Sequence, residues 1–281
     1  MEKLAKIVRI GGLIAMIGGL ATIAVTEFDK KWEQAKERKK PAPAYARQSG
    51  ENLRIGNWNL EIYGKKKADN PEVIKKYADV VDDHDIMFIQ EIRDKSDTAF
   101  KRLCSELPKY DCFASSRAGR TNSKEQYGVI YKKGIGIEKV VDYNPDPQDR
   151  WERPPLAVTF IKGNYKFTAY NLHAKPNDVQ RELSHLEKLV ENEGNVMIIG
   201  DLNADCSYLN EKTMNVFKSW FWAIDNLQDT TTGPTNCTYD RILLNQDMRK
   251  EFAARKVHTK DITPKESDHY PVWTEITPFD K

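Results

Sequence analysis

Polar side chains of related chemistry close a series of apolar runs in this sequence. Asn59, the pair Gln90-Glu91, Glu125, His173, Asp201 with Asn203, Asp240, and the pair Asp268-His269 each end or follow such a run. Any one of them alone would read as a capping or turn residue. Seven such stations call for another explanation, because strand ends on one side of a sandwich converge in space. Asparagine, glutamate and aspartate supply hard oxygens, which suit Mg²⁺ or Mn²⁺ rather than zinc. Histidines beside carboxylates suit proton transfer near neutral pH. A carboxylate that accepts from one imidazole nitrogen fixes the tautomer and leaves the other nitrogen free. A metal, a general base and a general acid together meet the needs of in-line attack of water on a phosphodiester. Neither a GxSxG elbow nor a Walker-type loop is present.

Positioning such a set requires many short strands. Apolar runs predict strands at 52–59, 86–90, 127–132, 156–162, 166–172, 195–200, 240–244 and 271–276. Amphipathic spacing predicts helices at 71–82, 96–107, 177–193 and 211–222. Asn177 is the expected N-cap of the third, with Val179, Leu183, Leu186 and Leu189 on its apolar face. Many strands with few helices between them imply an α+β fold: two packed, mostly antiparallel sheets with outer helices, a four-layer α/β/β/α sandwich.

The motifs in order are IGNWNLEIYG (55–64), FIQEIRD (88–94), RTNSKEQYGVIY (120–131), YNLHAKP (170–176), GDLNADCSY (200–208), PTNCTYDRI (234–242) and SDHYPV (267–272). This series resembles the endonuclease/exonuclease/phosphatase superfamily, and within it the deoxyribonuclease I branch. The resemblance spans residues 53–276. QE, GDxN and SDH specify only the superfamily; KEQY, LHAxP, CSY and CxYDRI narrow it to the branch.

The resemblance implies a metal-dependent nuclease and assigns roles. Glu91 is the principal metal ligand, with Asn59 and Asp268 near it. His173 and His269 flank the scissile phosphate as acid and base, the order between them open. Glu125 orients His173 and Asp240 orients His269. Asp201 and Asn203 hold metal or phosphate, and Arg153 and Tyr208 contact phosphate. Arg93 and Arg120 are implied DNA contacts. Cys206 and Cys237 are implied to form a disulfide that ties the Asp201 loop to the Asp240 segment, and Cys104 with Cys112 is a second possible pair. Two departures bear on substrate: Glu61 and Ser123 stand where the branch places an arginine and a tyrosine against DNA. They imply a weaker grip on duplex DNA and more tolerance of single strands. A structural Ca²⁺ is suggested by Asp149 and Thr230–Thr232, although Pro154 replaces an acidic residue. His84, His185 and His258 match no motif and are expected at the surface. Two other readings remain: a phosphodiesterase of the same superfamily acting on a lipid or small phosphoester, and an inactive tethered binding module.

The first fifty residues differ in kind. Residues 1–50 hold 10 Lys+Arg and 5 Asp+Glu, which leaves 34 and 37 in the remainder, a net of −3. A globular part with that balance is no general polyanion binder and must meet a phosphate polymer through a local patch. Residues 10–25 carry no charge and follow Lys3, Lys6 and Arg9. Residues 1–26 therefore read as a signal-anchor, with residues 7–26 in the membrane, or as a signal peptide cleaved near Thr22-Ile23-Ala24. Residues 27–50 read as a charged juxtamembrane linker and residues 51–281 as the nuclease domain. Six Lys/Arg (30, 31, 36, 38, 39 and 40) lie just after the apolar run and three precede it, which favours a cytoplasmic C-terminal side. Four cysteines without a CxxC favour an oxidising compartment instead. Weighing the two puts the domain outside the cytoplasm, at a bacterial envelope and facing the periplasm, or secreted after cleavage.

Overall fold

Strand β1, Leu53–Tyr63, shows how the chain sorts its residues. Side chains alternate faces along a strand. Leu53 and Ile55 enter a core between two sheets, and Asn57 and Asn59 follow on that same face; Trp58 and Leu60 enter a second core on the other. The pattern recurs. On β2 (Ile86–Ile92), Phe88 is followed two residues later by Gln90; on β8 (Asn195–Asp201), Met197 and Ile199 lead to Asp201; on β10 (Asp240–Leu244), Asp240 precedes Ile242 and Leu244. The inter-sheet face is thus apolar along most of each strand and turns polar at one end. That end is where a site can form without cutting into the core.

The structure is a computed structural model that describes residues 52–210 and 213–278. The expected membrane segment and the expected linker lie outside the described residues, and no described helix is long and apolar enough to cross a membrane. The remaining elements are α1 (Lys65–Ala68), α2 (Pro71–Asp82), α3 (Thr98–Ser105), β3 (Tyr110–Ala114), β4 (Gln126–Lys132), β5 (Gly136–Asp142), β6 (Leu156–Lys162), β7 (Tyr165–Asn171), a 3₁₀ turn (Pro176–Asp178), α4 (Val179–Leu189), β9 (Phe221–Trp222), α5 (Gln246–Arg249), β11 (Phe252–Val257) and β12 (Val272–Ile276). They form two six-stranded sheets, ordered β11-β12-β1-β2-β4-β3 and β5-β6-β7-β8-β10-β9. Each sheet is mixed. β1 pairs with β2 and β7 with β8 in parallel, and the other pairings are antiparallel. Besides the inter-sheet core, one apolar cluster joins the first sheet to α2 and α3, and another joins the second sheet to α4. Helices therefore cover the outer face of each sheet.

All eight expected strands form. β3, β5, β9 and β11 were not expected. β5 and β11 are edge or near-edge strands with half-exposed residues, so their apolar signal is weak. Three expected helices form, the first with the expected ends, 71–82, and the other two shorter than expected. The fourth, 211–222, does not form over its described residues: 213–220 are turns, bends and irregular chain, and 221–222 are strand β9. Phe217 has φ +50°, and its N–H donates to Glu187 Oε1 at 2.6 Å rather than to a helical carbonyl. Val216, Phe217 and Trp220 are buried in this irregular segment, which explains the misleading spacing. Asn177 is not an N-cap; it lies within the 3₁₀ turn that precedes α4. His84 is not at the surface. It is 1% exposed, its Nδ1–H donates to Val80 O at 2.8 Å, and burial pushes the imidazole down to about 4. His185 and His258 are half-buried.

Candidate active site

The polar ends of both sheets meet. On β1, Asn59 Nδ2 donates to Asp201 Oδ2 at 3.0 Å across the two sheets and to Glu91 Oε1 at 3.3 Å. Glu91 follows Gln90, which is opposite Asn59 in the parallel β1–β2 register. The backbone at Glu91 has φ +60°, and its other oxygen accepts from Ile62 N and Arg93 Nη2, both at 2.9 Å. Burial works to raise Glu91, but His173, Arg93 and the Ile62 N–H outweigh it and hold the carboxyl at about 2.

The two histidines are built alike. His173 follows β7, and its Nδ1 is 2.6 Å from Glu125 Oε1. His269 precedes β12, and its Nδ1 is 2.7 Å from Asp240 Oδ2. Both carboxylates are buried. The two Nε2 atoms converge on one oxygen, Asp201 Oδ2, at 3.4 Å from His173 and 3.7 Å from His269. Antiparallel pairing of β8 with β10 sets Asp201 directly opposite Asp240, which is why one strand pair serves both roles. Burial disfavours charge on both rings, and Arg153 opposes it at His173. Glu125 and Asp201 outweigh these effects at His173, as Asp240 and Asp201 do at His269. Both imidazoles are held above their ordinary value. Burial keeps Asp240 itself above the usual carboxylate range, with His269 pulling the other way.

Around this centre, Asn203 donates Nδ2 to Ala174 O at 2.9 Å and its N–H to Asp201 Oδ1 at 3.1 Å, so it braces the Asp201 loop against the His173 loop. Asp268 is the open edge of the group: its side chain is 58% exposed, with Oδ1 3.7 Å from His269 Nε2. Burial raises its pKa; His269 pulls it down, while Glu61, Glu91 and Asp201 push it up, for a net shift above the usual value. Arg153 Nε lies 3.0 Å from Glu125 Oε1 and donates to His173 O at 3.0 Å. Arg93 lies between Glu91 and Glu125. Tyr208 is 37% exposed and stacks on Tyr239, whose ring lies 6.3 Å from that of His269.

Arg120 pairs with carboxylates other than those just described. It is tied to Asp149 at 2.8 Å and Glu152 at 3.2 Å. Asp149, a suggested calcium ligand, is thereby engaged with a cation. Thr230, Thr231 and Thr232 serve the His269 loop: Thr232 N donates to Asp268 O, Tyr270 N to Thr230 O, and Thr231 bridges His269. Cys206 is bonded to Cys237, joining the Asp201 loop to the Asp240 segment, and Cys104 is bonded to Cys112.

Several contributing residues received no role from the sequence. Gln90 Nε2 donates to Asn57 Oδ1 at 2.6 Å, and Asn57 Nδ2 donates to Asp240 Oδ1 at 3.0 Å, a buried relay behind His269. Tyr127 OH accepts from His173 N at 3.0 Å and donates to Arg153 O at 3.1 Å. Ser267 Oγ donates to Asn59 O at 2.6 Å and accepts from His269 N at 3.0 Å. A signal existed for Asn57: it shares a strand face with Leu53 and Ile55, where an amide is out of place unless it has a partner.

The donor chemistry fits a hard divalent cation. Burial raises Asp268 most, and the carboxylates of Glu61, Glu91 and Asp201 add to that rise, while a side-chain amide lies between Glu91 and Asp201. Glu91, Glu125 and His173 also bring ligand atoms within 4.8 Å of one another. In that trio Glu125 is occupied by His173 and two arginines, which leaves Glu91 as the available corner.

The chain is similar to known proteins. Residues 56–269 match the Endonuclease/Exonuclease/phosphatase family. Deoxyribonuclease-1 of Gallus gallus is 30% identical over 261 residues, covering 80% of this chain and 92% of that one. Deoxyribonuclease-1-like 1 of Rattus norvegicus is 31% identical over 253 residues, covering 80% of each. Among solved structures, humanized D. rerio TDP2 shares the fold with a TM-score of 0.62 at 13% identity, covering 82% of this chain and all of that one. An endonuclease/exonuclease/phosphatase from Bacteroides vulgatus does so with a TM-score of 0.61 at 15% identity, covering 81% and 99%. The chain belongs to the endonuclease/exonuclease/phosphatase family, in its deoxyribonuclease I-like branch, and is a phosphodiesterase of the hydrolase class.

Proposed function

We propose that this protein is a divalent-metal-dependent endonuclease that hydrolyses DNA with little sequence preference. One observation carries the proposal: two buried imidazoles, each with Nδ1 held by its own carboxylate, turn their Nε2 atoms to one aspartate oxygen beside Glu91. In that geometry one ring takes a proton from water through Nε2 and the other gives one to the leaving oxygen, while Glu125 and Asp240 stabilise whichever ring is charged. Glu91, Asn59, Asp201 and Asp268 would hold Mg²⁺ or Mn²⁺, which when bound offsets charge developing on the phosphate oxygens. Arg153 and Arg93 add fixed positive charge beside Glu125 and Glu91. Tyr208 offers an exposed ring at the rim. Contacts of this kind address phosphate and sugar, which carry little sequence information.

DNA as substrate is supported by the names of the relatives, which are deoxyribonucleases. Glu61, whose carboxylate pairs with Lys67 at 3.1 Å, and the exposed Ser123 remove one cation and one ring from the duplex-facing side that the branch uses. The enzyme is therefore poorer on duplex DNA relative to single strands than deoxyribonuclease I is. The two disulfides support a domain working outside the cytoplasm, held at a bacterial envelope by residues 1–26 or released from it. A digest of matched duplex and single-stranded DNA with Mg²⁺ tests the substrate reading. Cleavage of both, without duplex preference, is expected; DNA left whole in the presence of Mg²⁺ and of Mn²⁺ would reject it.

A further inference from the structure

Glu182 lies on α4, outside every motif, and is fully buried. A buried carboxylate is costly unless it is well bonded. This one accepts from two backbone N–H groups on different loops: Glu152 N donates to Oε1 at 2.6 Å and Lys175 N donates to Oε2 at 2.9 Å. The backbone oxygen of the same residue accepts from Nε1 of the buried Trp151 at 3.0 Å. One residue of α4 therefore holds residues 151–152 of one loop and residue 175 of the other. The first loop continues into Arg153. The second begins at His173.

We propose that Glu182 is a positioning residue for the phosphodiesterase reaction, acting through Arg153. With Glu152 and Lys175 fixed, Arg153 reaches Glu125 Oε1 at 3.0 Å and the carbonyls of His173 at 3.0 Å and Ala174 at 3.3 Å. Glu125 in turn holds His173. The guanidinium of Arg153 is nearly enclosed, and its charge is balanced by Glu125 on the site side with Glu182 behind; burial opposes that charge and the carboxylates outweigh it. Glu182 touches no reacting atom. Its action is to set where Arg153 and His173 stand.

The inference rests on the functional reading above, and a double-mutant cycle tests it with the full, oxidised chain. Glu182→Gln keeps the shape but withdraws the charge and turns one acceptor into a donor that faces a backbone N–H. We expect kcat on DNA to fall about 10- to 100-fold while KM changes less than about threefold, since small misplacements near the chemistry cost rates of that order. In an Arg153→Ala background the same substitution is expected to change kcat by less than about threefold, because coupled residues are non-additive. Equal losses in both backgrounds, or a kcat retained within about threefold in the single variant, would overturn the proposal. If Glu182→Gln does not fold, Glu182→Asp, which keeps the charge but cannot reach both loops, is read in the same cycle with the same expectations. Amide hydrogen exchange separates this from the activity itself: exchange at Glu152 and Lys175 accelerates in the variant whether or not DNA is the substrate. Unchanged exchange there would overturn the clamp, whereas a wild-type chain that cuts no DNA would reject only the nuclease reading.

Discussion

An imidazole whose Nδ1 is committed to a carboxylate exchanges protons only through Nε2, so each histidine of the pair has one working atom. His173→Ala and His269→Ala are each expected to lower kcat about 10²- to 10⁴-fold with the fold intact, the range for loss of a general acid or base. Initial rates on plasmid DNA, with circular dichroism as the folding control, check this; a variant within tenfold of wild type would remove that ring from the mechanism. His84 carries a different prediction. Burial holds it at about 4 against an ordinary 6.5, so the unfolded chain binds the extra proton first. Stability therefore falls as pH drops from about 6.5 to about 4, by about 3 kcal/mol at most for such a shift. Denaturant unfolding at pH 7.0 and 4.5 should show that loss, and His84→Gln should show less of it. His173 and His269 were legible in the sequence as site candidates because each stands in a motif beside a strand end. His84 was not, because the charged residues around it in the chain lie at the surface while its own ring turns into the core. Gln90 was read only as a strand-end polar group and Asn57 was not singled out, and their relay to Asp240 exists only across the sheets.

At the scale of elements, the site depends on where strands stop. Gly200 has φ +149°, and a Cβ there would lie 2.0 Å from Leu172 O. Neither the conformation nor the space admits a side chain. Gly200→Ala is expected to destabilise the fold by about 2 kcal/mol or more and to lower activity further by moving Asp201. Thermal unfolding together with rates measured well below the melting temperature separates the two effects. The Cys206–Cys237 bond spans 31 residues. Replacing both cysteines with serine should remove about 3–4 kcal/mol in the chain-entropy model, read as a lower denaturant midpoint with a steeper slope, because the unfolded chain is released from the cross-link. Strand positions were readable from apolar runs because most strands are buried on both faces. The edge strands β5 and β11 were hidden by their polar exposed residues. The helix expected at 211–222 failed because its buried residues reflect packing of an irregular segment, and burial without regular backbone can imitate helical spacing.

On the scale of the whole molecule, the two sheets share one rule: the faces that meet are apolar along most of their length and polar at a common end. That rule would let a chain whose globular part is slightly acidic address a phosphate polymer, as proposed, through a local site rather than a general positive surface. It also explains how far the sequence carried the argument. Fold class and the cluster around Asp201 follow from strand ends of one chemical kind. Arg120, expected as a DNA contact, is ion-paired with Asp149 and Glu152. The central claim is that the cluster splits phosphodiester bonds in DNA with the help of a divalent cation. A nicking assay on supercoiled plasmid with the oxidised full chain tests it most directly. Nicked and then linear DNA is expected with Mg²⁺, with none in EDTA and a loss of about 10²-fold or more in Glu91→Ala. Plasmid cut equally well in EDTA, or by the Glu91→Ala chain, would contradict the account.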